Sequence, residues 1–281
     1  MATSPAIVFQ GLTKDYGTKR ALDGVDLEIR AGEIFGYLGS NGAGKTTTIR
    51  CLLGLIRPTA GRATVLGLDC RTDSVEVRRR AGYLPGDLRL YPRLTARQLL
   101  TYLGRLRGGV DAGRIEELAR RMECDLGWRC GAMSHGQKQK VGVIQALMHD
   151  PAILILDEPT ATLDPLMQRT VHDLIREARD RGATIFVSSH DLPEVARLCD
   201  RAGILRRGRL VAVEDVKELA EQGGHVLSIE FAEPVDPTVF RVIPGVSQVI
   251  VSDRTLTITA GGALDAVVKT AARFRVHALR S

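Results

Sequence analysis

The stretch EIFGYLGSNGAGKTTTIRCLLGLI, residues 33–56, decides the fold of this chain. Its first residues, EIFGYLG, predict a buried strand that runs into a glycine-rich turn, and KTTTIRCLLGLI predicts the following helix over 45–56. Between the two, GSNGAGKTT matches the pattern G-x-x-x-x-G-K-[ST] in the required strand–loop–helix context. The glycines let the backbone curl so that successive N–H groups point at a phosphate chain. The helix N-terminus adds the positive end of its dipole.

The pattern assigns a phosphate-binding role to a continuous run of residues: Gly39, Ser40, Asn41, Gly42, Ala43, Gly44, Lys45, Thr46 and Thr47. Lys45 is expected to reach the β- and γ-phosphates of a nucleotide, and the Thr46 hydroxyl is expected to hold Mg²⁺. An ordinary glycine-rich turn is the alternative interpretation. We favour the binding loop because the whole pattern and both flanking elements match.

Two later segments predict buried parallel strands, because both are almost continuously apolar: AILILDE, 152–158, and TIFVSSH, 184–190. A helix that opens after MSHG is predicted to run to His149, where Pro151 prevents its continuation. Strands that alternate with helices along the chain indicate an α/β fold with a parallel sheet and helices on both faces.

Other short segments predict half-buried elements around that sheet. Val25, Leu27 and Ile29 alternate with acidic residues, which predicts a strand with one buried face. Residues 95–121 show helical periodicity in two pieces. In the first piece Thr95 is a plausible N-cap, and three leucines are expected to share the buried face: Leu99, Leu103 and Leu106.

Polar residues follow the two buried strands at their ends. Asp157 ends the first strand, where its carboxylate can face a metal ion directly or through water. Glu158 comes next and is placed to polarise an attacking water as a general base. Adjacent carboxylates are usually just solvated, but five apolar residues before them make solvation alone the weaker account. His190 ends the second strand; by itself a structural role is as good an interpretation, and beside the other motifs we favour a γ-phosphate contact.

Composition bounds the class of protein. With 44% hydrophobic and 26% charged residues the chain is an ordinary soluble globular sequence. Its net charge of +6 suits nucleotide phosphates or an anionic membrane face, although a solvated surface is the simpler interpretation. The basic runs at 78–80 and 206–207 are not interleaved with aromatic residues, so no nucleic-acid partner is expected.

Cysteine content and hydropathy exclude further classes. The five cysteines form no CxxC pair, which indicates reduced, mostly buried thiols and argues against a zinc site. The N-terminus lacks the basic-then-apolar design of a signal peptide. No apolar run approaches the roughly 20 residues that cross a bilayer. If the protein works at a membrane, other chains are expected to span it.

The composition changes at EQGGH, 221–225, where two glycines end a helix. Beyond it, apolar alternation and helical spacing predict the order β-α-β-β-α-β, a split-βαβ module. HVLSIEF supplies its first strand, with Leu227, Ile229 and Phe231 on one face. The predicted organisation is a domain at 1–216, a linker at 217–224 and an accessory domain at 225–281.

Five motifs occur in the order that marks ABC-type ATPases: GSNGAGKTT, MSHGQ, ILILDEPT, TLD at 162–164 and SSH at 188–190. The chain therefore resembles the nucleotide-binding subunit of an ABC transporter over about residues 5–216. The resemblance implies a P-loop ABC ATPase fold, with a RecA-like parallel core, an N-terminal antiparallel β subdomain and a helical signature subdomain. It also implies ATP and Mg²⁺ as ligands, and hydrolysis of ATP to ADP and phosphate.

The resemblance further implies a second ATPase subunit, either a copy or a related chain. In that family two subunits face each other head to tail, and the signature loop of each caps the ATP held by the other. The residues that would act in this way are Ser134, His135, Gly136 and Gln137. By the same resemblance Tyr16 would stack on adenine, Asp164 would bridge the two sites, and His190 would sense the γ-phosphate.

Three positions depart from the family pattern. Ser40 stands where proline is usual, and His135 replaces the first glycine of the usual Ser-Gly-Gly. In GYLPGDLRLYP, 82–92, Gly86 occupies the place of a glutamine that touches Mg²⁺ and relays to the membrane subunits. Asp87, a water molecule or backbone motion alone could take over, and the sequence leaves these three alternatives open.

The resemblance implies a peripheral ATPase on the cytoplasmic face of the membrane, with separate transmembrane permease subunits. Export of a drug, antibiotic, lipid or ion is favoured, because importer subunits usually keep the loop glutamine. A soluble ABC ATPase acting on DNA or ribosomes is the alternative, but such proteins usually carry two ATPase halves or coiled-coil inserts. A P-loop GTPase or kinase would leave MSHGQ unexplained. The accessory domain is expected to support dimerisation rather than to act as a passive cap.

Overall fold

The computed structural model describes residues 4–216, 225–260 and 264–280. The chain separates into two compact units, Met1–Glu214 and Asp215–Ser281. The predicted boundary of the first domain is residue 216, and the predicted linker, 217–224, lies outside the described residues.

The larger unit is built from strands and helices in this order: β1 (Pro5–Tyr16), β2 (Lys19–Arg30), β3 (Ile34–Leu38), α1 (Lys45–Leu52), β4 (Ala60–Val65), β5 (Leu68–Asp69), α2 (Ser74–Arg80), β6 (Ala81–Leu84), α3 (Ala96–Leu106), α4 (Ala112–Arg121), a 3₁₀ turn (Cys130–Ala132), α5 (His135–Leu147), β7 (Ile153–Asp157), α6 (Pro165–Asp180), β8 (Thr184–Ser189), α7 (Leu192–Leu198), β9 (Arg201–Arg206) and β10 (Arg209–Asp215).

The central sheet has the strand order β10-β9-β3-β8-β7-β6. Strands β6, β7, β8, β3 and β9 pair in parallel. The phosphate loop follows β3, His190 follows β8, and Asp157 ends β7, which places all three at the carboxyl edge of adjacent strands. Parallel α/β sheets bind ligands at this edge. The predicted α/β fold with a parallel core is confirmed.

An antiparallel sheet with the order β2-β1-β4-β5 packs against the central sheet. The alternation predicted for β2 is confirmed, because Val25, Leu27 and Ile29 are all buried. Phe9 from β1 meets Phe186 from β8 edge-on at a centroid distance of 6.4 Å. This aromatic contact joins the two sheets.

Helix α3 begins as predicted and ends differently. Thr95 and Gln98 form a complete capping box, in which each side chain accepts from the other residue's backbone N–H. The expected leucine face was wrong at Leu106, whose side chain is 67% exposed. Val110 from the next loop covers the last turn at Gly104, where an added Cβ would lie 3.2 Å from it. The buried side of the helix consists of Ala96, Leu99, Leu100 and Gly104.

Helix α1 is shorter than the predicted range of 45–56, since it ends at Leu52. Gly54 turns the chain with φ 61°, and a Cβ there would lie 2.4 Å from a backbone oxygen. A side chain is therefore excluded at this position on both conformational and steric grounds.

The smaller unit contains β11 (His225–Phe231), α8 (Thr238–Arg241), β12 (Val246–Ser252), β13 (Thr255–Ala260), α9 (Leu264–Ala271) and β14 (Val276–Arg280). Its sheet has the order β12-β13-β11-β14 with antiparallel pairs, so the predicted β-α-β-β-α-β order is confirmed. Leu227, Ile229 and Phe231 lie in its core, where Phe231 contacts Phe240 at a centroid distance of 6.0 Å. Among the described residues, no helix combines the length and apolar character needed to cross a membrane.

Candidate active site

The phosphate loop adopts the curled conformation that its glycines predict. Gly42 and Gly44 have φ values of 81° and 118°, which disfavour other residues. A Cβ at Gly44 would also lie 2.7 Å from Ala21 O, and a Cβ at Gly39 would lie 2.7 Å from Leu205 O. Gly44 is the N-cap of α1 and offers no side chain to its first N–H groups. The helix therefore begins with backbone donors that a phosphate can satisfy.

A cleft of about 990 Å³ opens above the loop. The predicted site residues that line it are Tyr16, Ser40, Asn41, Gly42, Gly44, Lys45, Thr46, Thr47, Asp157, Glu158 and His190. Tyr16 is 47% exposed, and Lys14 Nζ lies 5.2 Å from the centroid of its ring. An aromatic face is thus available at the cleft.

Lys45 contacts polar groups from two different segments of the chain. Its side chain is only 6% exposed, and its Nζ donates to Gly39 O. The same Nζ lies 3.2 Å from Glu158 Oε1. One buried cation therefore connects the phosphate loop with the proposed general base.

Asp157 is almost fully buried and accepts two hydroxyl hydrogen bonds. Thr46 Oγ1 donates to its Oδ2 over 2.8 Å, and Ser188 Oγ donates to its Oδ1. A carboxylate beside a threonine hydroxyl is a set of hard oxygen donors, which Mg²⁺ prefers. The described parts of the chain hold no group of three or more His, Cys, Asp or Glu that could bind a metal. These residues fit an ion such as Mg²⁺, which takes few protein ligands and completes its shell with phosphate and water oxygens.

Glu158 leaves the strand geometry of β7. Its φ is 52°, in the left-handed region that costs a non-glycine residue about 1–2 kcal/mol. In a regular strand the side chains of Asp157 and Glu158 would point to opposite faces, but here both line the cleft. Gln139 from α5 donates to the carbonyl oxygens of Glu158 and Pro159, at 3.2 and 3.0 Å. These two bonds hold the strained turn.

His190 and Glu158 form a close pair. His190 Nδ1 lies 2.7 Å from Glu158 Oε2. Because a carboxylate oxygen only accepts, Nδ1 is the donor in this pair, which leaves Nε2 for a further partner. The carboxylate of Glu158 at the end of β7 thus contacts His190 with one oxygen and Lys45 with the other.

The signature residues lie outside this cleft. Ser134 and Gln137 form a capping box at the start of α5, with Gln137 Oε1 2.8 Å from Ser134 N. His135 is exposed, and a Cβ at Gly136 would lie 3.1 Å from Thr162 O. The structure therefore brings the signature loop next to the TLD segment of the same protomer rather than next to its own phosphate loop.

Asp164 caps helix α6. Its carboxylate accepts from Met167 N at 3.0 Å and from Leu166 N at 3.1 Å. The bond from Met167 is the largest cause that lowers the pKa of Asp164. The carboxylate is thus held in its charged, acceptor-only form at the helix N-terminus.

Gly86 lies beside the carboxylate of Asp157. Gly86 lines the cleft, and a Cβ there would lie 3.2 Å from Asp157 Oδ2. Of the three replacements that the sequence left open, Asp87 is mostly exposed and pairs with Arg89 at 3.1 Å. Asp87 also lines the cleft, so the three alternatives of Asp87, a water molecule and backbone motion stay predictions.

Two residues of the site were missed by reasoning from the sequence. Ser188 lies in the SSH motif and Gln139 lies two residues beyond MSHGQ, but the sequence predicted no role for either. Both are buried. The available signal was a polar side chain within an otherwise apolar element, since buried polar groups need partners.

Comparison with known proteins identifies the family. A family model described as "ABC transporter" matches residues 22–161. A second model, described as "AAA domain, putative AbiEii toxin, Type IV TA system", matches the shorter range 127–197.

Curated relatives extend further along the chain. The bacitracin transport ATP-binding protein of Bacillus licheniformis is 37% identical over 228 residues, which cover 79% of this chain and 74% of the relative. The Nod factor export ATP-binding protein I of Rhizobium sp. (strain N33) is 36% identical over 259 residues, which cover 89% and 84% of the two chains.

The fold is also shared with solved structures. The dimeric structure of a bacterial ABC transporter cassette superposes with a TM-score of 0.69 and 26% identity, covering 75% of this chain and 98% of that one. This chain thus resembles members of the family along most of its length. It also contains the phosphate loop, the carboxylates at the end of β7 and the signature helix. This chain belongs to the ABC transporter family, as an ATP-binding subunit.

Proposed function

We propose that this chain binds ATP with Mg²⁺, hydrolyses it to ADP and phosphate, and thereby powers a transporter formed by separate transmembrane subunits. The observation that carries the proposal is the arrangement of Glu158, whose carboxylate contacts His190 at 2.7 Å and Lys45 at 3.2 Å beside the phosphate loop. Thr46 and Asp157 would hold the Mg²⁺, which neutralises phosphate charge when bound.

Each residue has a defined task in this proposal. The loop N–H groups and Lys45 bind the phosphate chain, while Tyr16 offers its ring to the adenine. Glu158 accepts the proton of the attacking water, and His190 orients the base and contacts the γ-phosphate. The left-handed backbone at Glu158 supports this assignment, because it turns the carboxylate into the cleft beside Asp157.

We further propose that two protomers complete each site. The signature loop lies outside the cleft of its own protomer, and its helix N-terminus can meet a phosphate of a second subunit. The dimeric cassette structure supports such an arrangement. ATP would then hold the two protomers together, and hydrolysis would release them.

Mixing two inactive variants tests this proposal. Lys45→Ala lacks a working phosphate loop, and His135→Glu places a negative charge in the signature loop at an exposed position. Glutamate in the first turn of a helix is compatible with its dipole, so α5 should remain folded. In an equimolar mixture about half of the dimers are mixed, and each mixed dimer contains one intact composite site of its two. We therefore expect the mixture to recover about a quarter of wild-type ATP hydrolysis. Full activity of His135→Glu alone, or no recovery on mixing, would contradict the shared site.

The name of one relative supports an antibiotic as the cargo, and the name of another supports export as the direction. One relative is a bacitracin transport protein and another a Nod factor export protein. We propose that this chain acts as a peripheral subunit on the cytoplasmic face of the membrane and serves an exporter of a drug, antibiotic, lipid or ion. Affinity purification from solubilised membranes should recover permease chains with it. Recovery of nucleic acid or ribosomes instead would favour the soluble alternative.

Ser188 donates to the proposed metal-binding carboxylate of Asp157 and should therefore affect the Mg²⁺ concentration that hydrolysis needs. Ser188→Ala removes the hydroxyl that orients Asp157 through Oδ1. Loss of such an outer contact typically weakens metal binding at least about tenfold, so the Mg²⁺ concentration for half-maximal hydrolysis should rise by that factor. Thr184→Val is the matched control, because it removes a buried hydroxyl at the other end of β8. An unchanged Mg²⁺ dependence in Ser188→Ala would contradict the role of this hydroxyl.

A further inference from the structure

A buried carboxylate lies directly behind the candidate active site. Glu194 on α7 is only 7% exposed. Ser189 Oγ donates to its Oε2 over 2.6 Å, Thr160 Oγ1 donates to its Oε1, and His172 Nε2 lies 3.4 Å from the same Oε1. No motif in the sequence drew attention to Glu194.

The three partners of Glu194 come from three different segments. Ser189 immediately precedes His190, and Thr160 lies in the turn that begins at Glu158. His172 lies on α6, the helix that Asp164 caps. One carboxylate therefore connects the chain segments that carry the base, its histidine partner and the TLD segment.

Because Glu194 is ionised, the donor and the acceptor of each of these hydrogen bonds are defined. Burial raises the pKa of Glu194, but hydrogen bonds from His172, Ser189 and Thr160 outweigh it and leave the pKa below the ordinary value for glutamate. A carboxylate without a proton only accepts, so both hydroxyls must donate to it. Ser189 Oγ in turn accepts from Asp191 N at 3.0 Å, which sets the backbone on the far side of His190.

We propose that Glu194 is a positioning residue of the hydrolytic site, which holds Thr160 and Ser189 so that the carboxylate of Glu158 and the imidazole of His190 meet. The proposal rests on the proposed ATPase function. Glu194 does not line the cleft, so it acts through the two hydroxyls. Displacement of a reacting group by about 1 Å can cost about a hundredfold in rate, so loss of either bond should be visible in kcat.

The chain offers a matched control for the simpler view that Glu194 only stabilises the fold. Glu33 is also 7% exposed, and it accepts from Arg30 N at 2.7 Å and from Arg201 Nη1 at 3.0 Å. It immediately precedes β3, at the amino edge of the sheet, whereas the site lies at the carboxyl edge. Glu33→Gln therefore removes an equally buried charge away from the site.

The test compares four variants of the full chain: Glu194→Gln, Thr160→Val, Thr160→Ser and Glu33→Gln. Thr160→Val keeps the shape of threonine without its hydroxyl, and Thr160→Ser keeps the hydroxyl. We expect kcat for ATP hydrolysis to fall at least about tenfold in Glu194→Gln and Thr160→Val, with KM for ATP within about twofold of wild type. Thr160→Ser and Glu33→Gln should keep kcat, even where Glu33→Gln lowers the melting temperature.

A spectroscopic measurement separates this inference from the proposed function. The ¹⁵N chemical shifts of the His190 ring report its hydrogen bond to Glu158 whether or not the protein hydrolyses ATP. They should change in Glu194→Gln and Thr160→Val and stay constant in Glu33→Gln. If the wild-type chain hydrolyses no ATP, the proposed function fails, and unchanged ring shifts in the two variants would overturn the positioning role. Wild-type kcat in Thr160→Val, or an equal loss in Glu33→Gln, would also overturn it.

Discussion

Glu158→Gln should bind ATP about as well as the wild-type chain but hydrolyse it about a hundredfold to ten-thousandfold more slowly. Loss of a general base typically lowers the rate by this factor. Glutamine keeps the size of the side chain and one of its two acceptor oxygens, but its amide cannot take the proton of the attacking water. Single-turnover phosphate release measures the chemical step, and a fluorescent ATP analogue measures the affinity. We also expect this variant to accumulate as an ATP-bound dimer, visible by size-exclusion chromatography.

The control for this substitution is Glu123→Gln. Glu123 shares the unusual backbone conformation of Glu158, with φ 48° against 52°, but its side chain is exposed and away from the cleft. If replacing a glutamate with left-handed backbone by glutamine were enough to lower hydrolysis, both variants would therefore lose activity. Near-normal turnover by Glu158→Gln would reject Glu158 as the base.

Lys45→Ala should lose ATP affinity. Lys45 is a buried cation, and removing one partner of a buried charge pair costs about 2 kcal/mol or more. That free energy corresponds to an increase in the Kd for ATP of roughly thirtyfold or more. The variant also leaves Glu158 without the cation at 3.2 Å. Isothermal titration with ATP measures the change directly.

Lys19→Ala removes the same charge at an exposed position of the same cleft and serves as the control. Exposed charges contribute about 0–1 kcal/mol, so its Kd should change by less than about fivefold. Tight ATP binding by Lys45→Ala, or an equal loss in both variants, would contradict the assignment of Lys45 to the phosphates.

Most of the fold could be predicted because its signals are local. The glycine-rich pattern before Lys45, the apolar runs of β7 and β8 and the alternation in β2 each report their own burial. The alternating order of strands and helices then restricts the sheet to a parallel one. Local patterns failed where packing against the following loop decides exposure. Leu106 is exposed, because Val110 packs on the last turn of α3 at Gly104.

The sequence by itself determined where the candidate site residues lie in the chain, since the phosphate loop and the two carboxylates after the apolar strand are readable as patterns. Only the tertiary structure decided how they meet. The turn of Glu158 out of its strand depends on Gln139, which lies 19 residues away in the chain. The setting of His190 involves Glu194, whose hydroxyl partners come from two different segments. The physical reason is that hydrogen bonds of buried polar groups are satisfied in space, and the identity of the partner depends on packing between segments rather than on any local pattern.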